Sequence, residues 1–267
     1  MKRRASRAIG GLAAIVAAAA LYGVLAPTPS ERLDAAMQER RWEDVEVEAV
    51  AQLPGATEEE AGELHRALGI AHGAQGEHNQ ALEAFRSAYA LRPEEQELRR
   101  RMAIAIVGIG ERREAQGDVD AAMARYREAV ELAPEIRQSH RALVGALRAR
   151  GSIDERLAAL ENAMEHIPQD VMLRVQLAWL LASHPDPARR DAERAMDLAS
   201  DVLMHDRTPE TLDTFAVVLA ALGNYEQAIR FELDAIELAG GREGHGFEER
   251  RKRLAAFTKN EPYVERP

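Results

Sequence analysis

The stretch GEHNQALEAFRSAYALRP at 76–93 returns as GDVDAAMARYREAVELAP at 117–134. A chain that repeats itself on this scale is constrained above all by the repeat, because each copy must bury the same face against its neighbour. Aligning Gly76, Gly117, Gly151 and Gly223 also aligns Ala81, Ala122 and Ala228, then Ala88, Ala129, Ala163 and Ala235, then Pro93, Pro134 and Pro168. Small residues at fixed positions let two antiparallel helices approach closely, and a closing proline ends the second one. Composition points the same way. Only 4% of residues are aromatic, while alanine, leucine, glutamate and arginine crowd the chain, which favours helix. No alternation of Val, Ile, Thr and aromatics marks a strand.

Set in a frame of about 34 residues, the clearest unit is 62–95, with Leu68 and Gly69 in its first helix, Gly76 at the turn, Ala81, Phe85 and Ala88 in its second, and Pro93 at its close. This resembles the tetratricopeptide repeat (TPR). Unit 103–136 carries Ile109, Gly110, Gly117, Ala122, Tyr126, Ala129 and Pro134 in phase; unit 137–170 follows with Leu143, Gly151, Leu160, Ala163 and Pro168. Unit 209–242 restores the pattern with Gly223, Tyr225, Ala228 and Ala235. The resemblance implies an all-α fold: a right-handed superhelical solenoid of about five to six helix-turn-helix units.

The departures carry their own expectations. Residues 29–59 read as a degenerate first repeat, with a turn near Arg40 and Arg41. Residues 171–208 form a unit interrupted by SHPDPARR, whose two prolines cannot continue a helix. QELRRRM at 96–102 contains neither Gly nor Pro and predicts a lengthened helix. Arg156 stands where alanine is expected, which puts close packing there in doubt, and Glu232 takes the aromatic position beside Phe231. Residues 243–267 supply a capping helix, FEERRKRLAAF, and a tail; the charges of that helix suit an exposed face.

The N-terminus is a separate object. Lys2, Arg3, Arg4 and Arg7 form a basic segment within 1–7, and residues 8–26 carry no charge. A helix over that stretch reaches roughly 28 Å, close to the hydrocarbon thickness of a bilayer. The basic flank places the N-terminus in the cytoplasm. The expectation is a single-pass signal anchor in a bacterial inner membrane with the repeats in the periplasm. The rival is a cleaved signal peptide ending at Val24-Leu25-Ala26, which would release a soluble periplasmic chaperone. Pro27 directly after the cut disfavours it.

With 45 acidic against 35 basic residues the chain has a formal charge of −10, so a nucleic-acid partner is not expected. The absence of cysteine removes disulfides, thiolate nucleophiles and thiolate metal sites. His65, His72 and His78 cluster around one turn, which raises metal binding or His-dependent catalysis as an alternative. No HExxH, GxSxG, phosphate-loop or dinucleotide signature accompanies them, so neither catalytic residue, metal ligand nor cofactor is assigned.

Function then falls to the groove that the resemblance implies along the first helices. The matching positions are Arg66, Gln138, Arg141, Arg148, Met172, Gln176 and Trp179, a basic and amphipathic set on an acidic chain. Arginines pair with carboxylates and tryptophan is a common interface anchor. The expectation is a non-enzymatic, membrane-tethered scaffold or assembly factor whose partner is a protein in a membrane or periplasmic complex.

Overall fold

The computed structural model describes residues 27–265, and the span at 8–26 lies outside the described residues. Among the described residues there are 13 α-helices and no strand, and no helix is long and apolar enough to cross a membrane. In chain order they are α1 (Pro29–Gln38), α2 (Trp42–Gln52), α3 (Glu58–Ala74), α4 (His78–Leu91), α5 (Gln96–Ala115), α6 (Val119–Leu132), α7 (Arg137–Arg150), α8 (Ile153–His166), α9 (Val171–Ser183), α10 (Ala192–His205), α11 (Pro209–Ala221), α12 (Tyr225–Leu238) and α13 (Phe247–Phe257). The chain divides into two compact units, Met1–Met102 and Ala103–Pro267.

Local chemistry sets where these helices start. Thr28, Thr57 and Ser152 each accept a hydrogen bond from the backbone N–H three residues on, and Glu31, Glu60 and Glu155 reach back to the cap backbone. Such reciprocal caps satisfy two of the N–H groups that a helix end leaves without partners. Asp118, Asp170, Asp191 and Asn224 cap α6, α9, α10 and α12 with a single side-chain acceptor.

A shared turn sets where many of them stop. Gly76, Gly117 and Gly223 have φ of 76°, 83° and 81°. After each, the next N–H bonds back to a carbonyl five residues earlier: Glu77 to His72 at 2.8 Å, Asp118 to Arg113 at 3.0 Å, Asn224 to Leu219 at 2.8 Å. This left-handed cap suits glycine because no Cβ opposes it. The same hydrogen bonding joins α1 to α2 and ends α13, but with Arg40 (φ 56°) and Asn260 (φ 58°) in the glycine's place. Gly151 departs from the set. It is extended, with φ −86° and ψ 173°, and α8 starts directly behind it from the Ser152 cap.

Packing follows the repeated positions. Phe85, Tyr126, Leu160 and Glu232 occupy equivalent places in α4, α6, α8 and α12, and all four are buried. So are Ala88, Ala129, Ala163 and Ala235. A Cβ on Gly69 would lie 2.4 Å from the Phe85 ring, and one on Gly110 would lie 2.4 Å from the Tyr126 ring. Each aromatic therefore rests directly on the backbone of the preceding helix. In the first unit Leu33, Val45, Leu64 and Leu68 gather in one core; in the second, Val144, Leu160, Leu177, Val218 and Phe257 belong to another.

Two readings of the sequence are corrected here. Arg156 does not loosen its helix, because it is 8% exposed and its guanidinium is neutralised by Glu265. The charges of α13 do not all face water either. Glu248, Glu249, Arg251 and Lys252 do, but Arg250 and Arg253 are buried because Asp213 of α11 faces them.

Candidate functional site

The second unit contains a cavity of about 480 Å³ lined from the first helices of three successive pairs, α7, α9 and α11, from Arg156 of α8, and from α13 and the segments on either side of it. Arg148, Gln176 and Trp179, three of the seven expected groove residues, are brought together there. Arg148 is exposed and Gln176 half-buried. Trp179 is also half-buried, and its face and N–H are both in use. Its ring meets Tyr263 edge-on at 5.4 Å, and its Nε1–H donates to Glu265 Oε2 at 2.8 Å.

The other four lie elsewhere. Arg141 is drawn to the fully buried carboxylate of Asp170, donating from Nε at 2.8 Å and Nη2 at 3.1 Å, with Arg137 at 3.0 Å as a second cation. That pairing holds the start of α9, because Asp170 also accepts from the Leu173 N–H. Gln138 donates to Glu111 at 3.2 Å. Met172 is 49% exposed and meets solvent. Arg66 belongs to the first unit, where it pairs with Glu63.

Beneath the cavity lies a cluster of four titratable residues, Asp213, Glu232, Arg250 and Arg253. Arg253 donates to Asp213 Oδ2 at 2.6 Å and has Glu232 Oε1 at 3.3 Å from its Nε. Arg250 stands 3.4 Å from the same Asp213 oxygen and donates to the His245 carbonyl at 2.7 Å. The Arg253 guanidinium also lies 5.1 Å from the Trp179 ring centre and 5.6 Å from that of Tyr263, so it makes cation–π contacts with both rings. Burial, reinforced by the negative charge of Asp213, pushes the Glu232 carboxyl up to about 9, so it holds a proton at neutral pH. Burial pushes Asp213 up as well, opposed by Arg253 beside it.

Above this cluster the chain returns. After α13 and the left-handed turn at Asn260, residues 261–265 form neither helix nor strand, and Tyr263 and Glu265 line the cavity. The Glu265 N–H donates to the Ser183 carbonyl at 2.7 Å. Its carboxylate is held from two helices: Arg156 of α8 donates to Oε1 at 2.9 Å, and Trp179 of α9 donates to Oε2 at 2.8 Å. The Tyr263 hydroxyl also reaches Oε2, at 3.4 Å. Sequence reasoning missed Arg156 as a site residue. The signal was available, since a lone arginine at a position reserved for alanine needs a counter-charge if it is buried.

In the first unit, His72 Nδ1 lies 2.8 Å from Glu77 Oε2 and 3.4 Å from Glu46 Oε1, and the three ligand-capable atoms fall within 4.8 Å of one another. Gln75 donates to Glu46 from the same turn. His72 is thus grouped with two carboxylates, whereas the sequence reading had grouped it with His65 and His78. His140, in the second unit, is buried with its Nε2 2.7 Å from the Pro134 carbonyl; burial lowers its pKa, so the neutral ring donates there.

No protein-family model and no curated protein matches the chain. Among solved structures it is similar to a thermophilic TPR protein of Thermus thermophilus, at 20% identity over 74% of this chain and 99% of that one, with a TM-score of 0.41. It is similar to YrrB, described as a TPR protein with an unusual peptide-binding site, at 19% identity over 72% of this chain and 91% of that one, with a TM-score of 0.49. It is also similar to the pilF protein of Pseudomonas aeruginosa, at 16% identity over 84% and 98% of the two chains, with a TM-score of 0.49. The chain's internal repeat is carried by its own packing: glycine-capped turns at 76, 117 and 223, and an aromatic seated on a glycine at Phe85 and Tyr126.

Proposed function

We propose that the chain is a TPR scaffold that binds a protein partner through the groove of its second unit and makes or breaks no bond. One observation carries this reading: a buried arginine and a half-buried tryptophan from two helices converge on the carboxylate of the segment that follows α13. Such an arrangement recognises a peptide, since charge-assisted hydrogen bonds fix a side chain while the backbone is held by a neighbouring carbonyl. The uncharged stretch 8–26 supports a tether in a bacterial inner membrane with the repeats in the periplasm. A tether favours a partner in or near the same membrane, because it raises the effective concentration of the two.

Purification from the native membrane in mild detergent tests both parts. The expected result is a chain that retains its N-terminus, fractionates with membrane and brings a reproducible companion protein. A mature chain starting near Pro27 would replace the tether with a soluble periplasmic chaperone, and a lone monomer would remove the scaffold.

A second reading, divalent-cation binding in the first unit, is favoured by the Glu46, His72 and Glu77 grouping. One imidazole and two carboxylates, with water completing the shell, form a donor set for zinc or a similar ion. Elemental analysis of the purified chain checks it, with one equivalent of metal expected in the native protein and none in His72→Ala.

A further inference from the structure

The segment that crosses the cavity has the geometry of a bound ligand. Along 263–265 the side chains alternate: Tyr263 turns in against Trp179 and Arg253, Val264 is 38% exposed, and Glu265 turns in to Arg156. Glu261 and Pro262 are exposed, and the Glu265 N–H is bonded to the Ser183 carbonyl. The receiving side is built into the helices. Arg156 is 8% exposed and Arg253 6%, so both are held in place by burial, and the cavity continues past the segment to Gln176 and the exposed Arg148.

We infer that residues 261–265 are an internal stand-in for the partner, and that the partner carries an extended stretch with an aromatic residue two positions before an acidic one. Tyr263 and Glu265 then mark the two subsites, an aromatic slot between Trp179 and Arg253 and a carboxylate slot at Arg156. A partner stretch with a further acidic residue gains Arg148 at the mouth, a contact beyond the segment's own. Occupation by the chain's own segment raises the threshold for binding, because a partner must displace a ligand held at high effective concentration. This rests on the interaction reading above.

The test uses the full chain and a fluorescent synthetic peptide with the sequence of residues 259–265, KNEPYVE. The double variant Tyr263→Ala, Glu265→Ala vacates the groove and should bind the peptide about tenfold or more tighter than the native chain. Adding Arg156→Gln, or replacing the last glutamate of the peptide by glutamine, should abolish the gain. Equal binding by native and vacated chains, or indifference to the peptide's final carboxylate, would overturn the inference. A measurement on the native chain covers the case in which the variant does not fold. Saturating peptide should accelerate hydrogen exchange at the Glu265 amide, and unchanged protection would also overturn it. Co-purification of a partner with Arg156→Gln at native yield would remove the groove while leaving the scaffold standing. Peptide exchange with no co-purifying protein would support the groove and remove the scaffold.

Discussion

At single residues, the structure separates glycines that look alike. Gly69, Gly110 and Gly145 all sit inside helices, where alanine is ordinarily the better residue by up to about 1 kcal/mol. A Cβ at Gly145 meets nothing within 4 Å, so Gly145→Ala should stabilise by about that amount. At Gly69 and Gly110 the ring is already in the way, and Gly69→Ala or Gly110→Ala should destabilise by about 1–3 kcal/mol through overpacking. Urea unfolding of the three variants checks the change of sign. Glu232 gives a second residue-level expectation. Its folded pKa of about 9 stands above the ordinary 4.5, so the folded state binds the extra proton. Its contribution is fully present below about pH 4.5 and is lost as pH rises towards 9. Glu232→Gln should flatten that decline, so the variant should gain on the native chain between pH 5 and pH 8.5 when melting is followed by circular dichroism.

At the level of helices, the left-handed turn explains both what the sequence made legible and what it hid. Gly76, Gly117 and Gly223 announce the turn because glycine is the residue that adopts it at least cost, and helix pairs were readable from them. Arg40 and Asn260 adopt the same conformation without that signal, so the turn at 40 was readable only from the Trp42-Glu43-Asp44 start that follows it. Arg40 is exposed, and Arg40→Gly should stabilise the first pair by about 1 kcal/mol, seen as slower hydrogen exchange in α1 and α2. The candidate site was legible only in part, for a different reason. Arg148, Gln176 and Trp179, groove positions that the resemblance implied, lie together on the cavity wall. Arg156, Arg253 and Glu265 were not implied, because their roles come from contacts such as Arg156–Glu265 and Arg253–Asp213 between residues far apart in sequence. Arg141 shows the same limit: its pairing with Asp170, on the next pair, is a contact that the sequence does not display.

For the molecule as a whole, charge and site pull in opposite directions. A chain of net charge −10 repels an acidic peptide at a distance, while Arg156 and Arg148 attract it at close range. The Debye length falls from about 30 Å at 0.01 M salt to about 10 Å at 0.1 M. Over that range, association of the KNEPYVE peptide with the vacated chain should speed up, and its dissociation should change little, in stopped-flow anisotropy. The buried charges beneath the groove bear on how such a protein can be taken apart or rebuilt. Glu232 sits where other pairs place Phe85, Tyr126 or Leu160, and Arg253 of the helix that follows stands 3.3 Å from its Oε1. The last pair is therefore a closing piece rather than an interchangeable module. Moved to an internal position, it would bring a buried carboxyl without its arginine; copied with α13, it would end the array wherever it was placed.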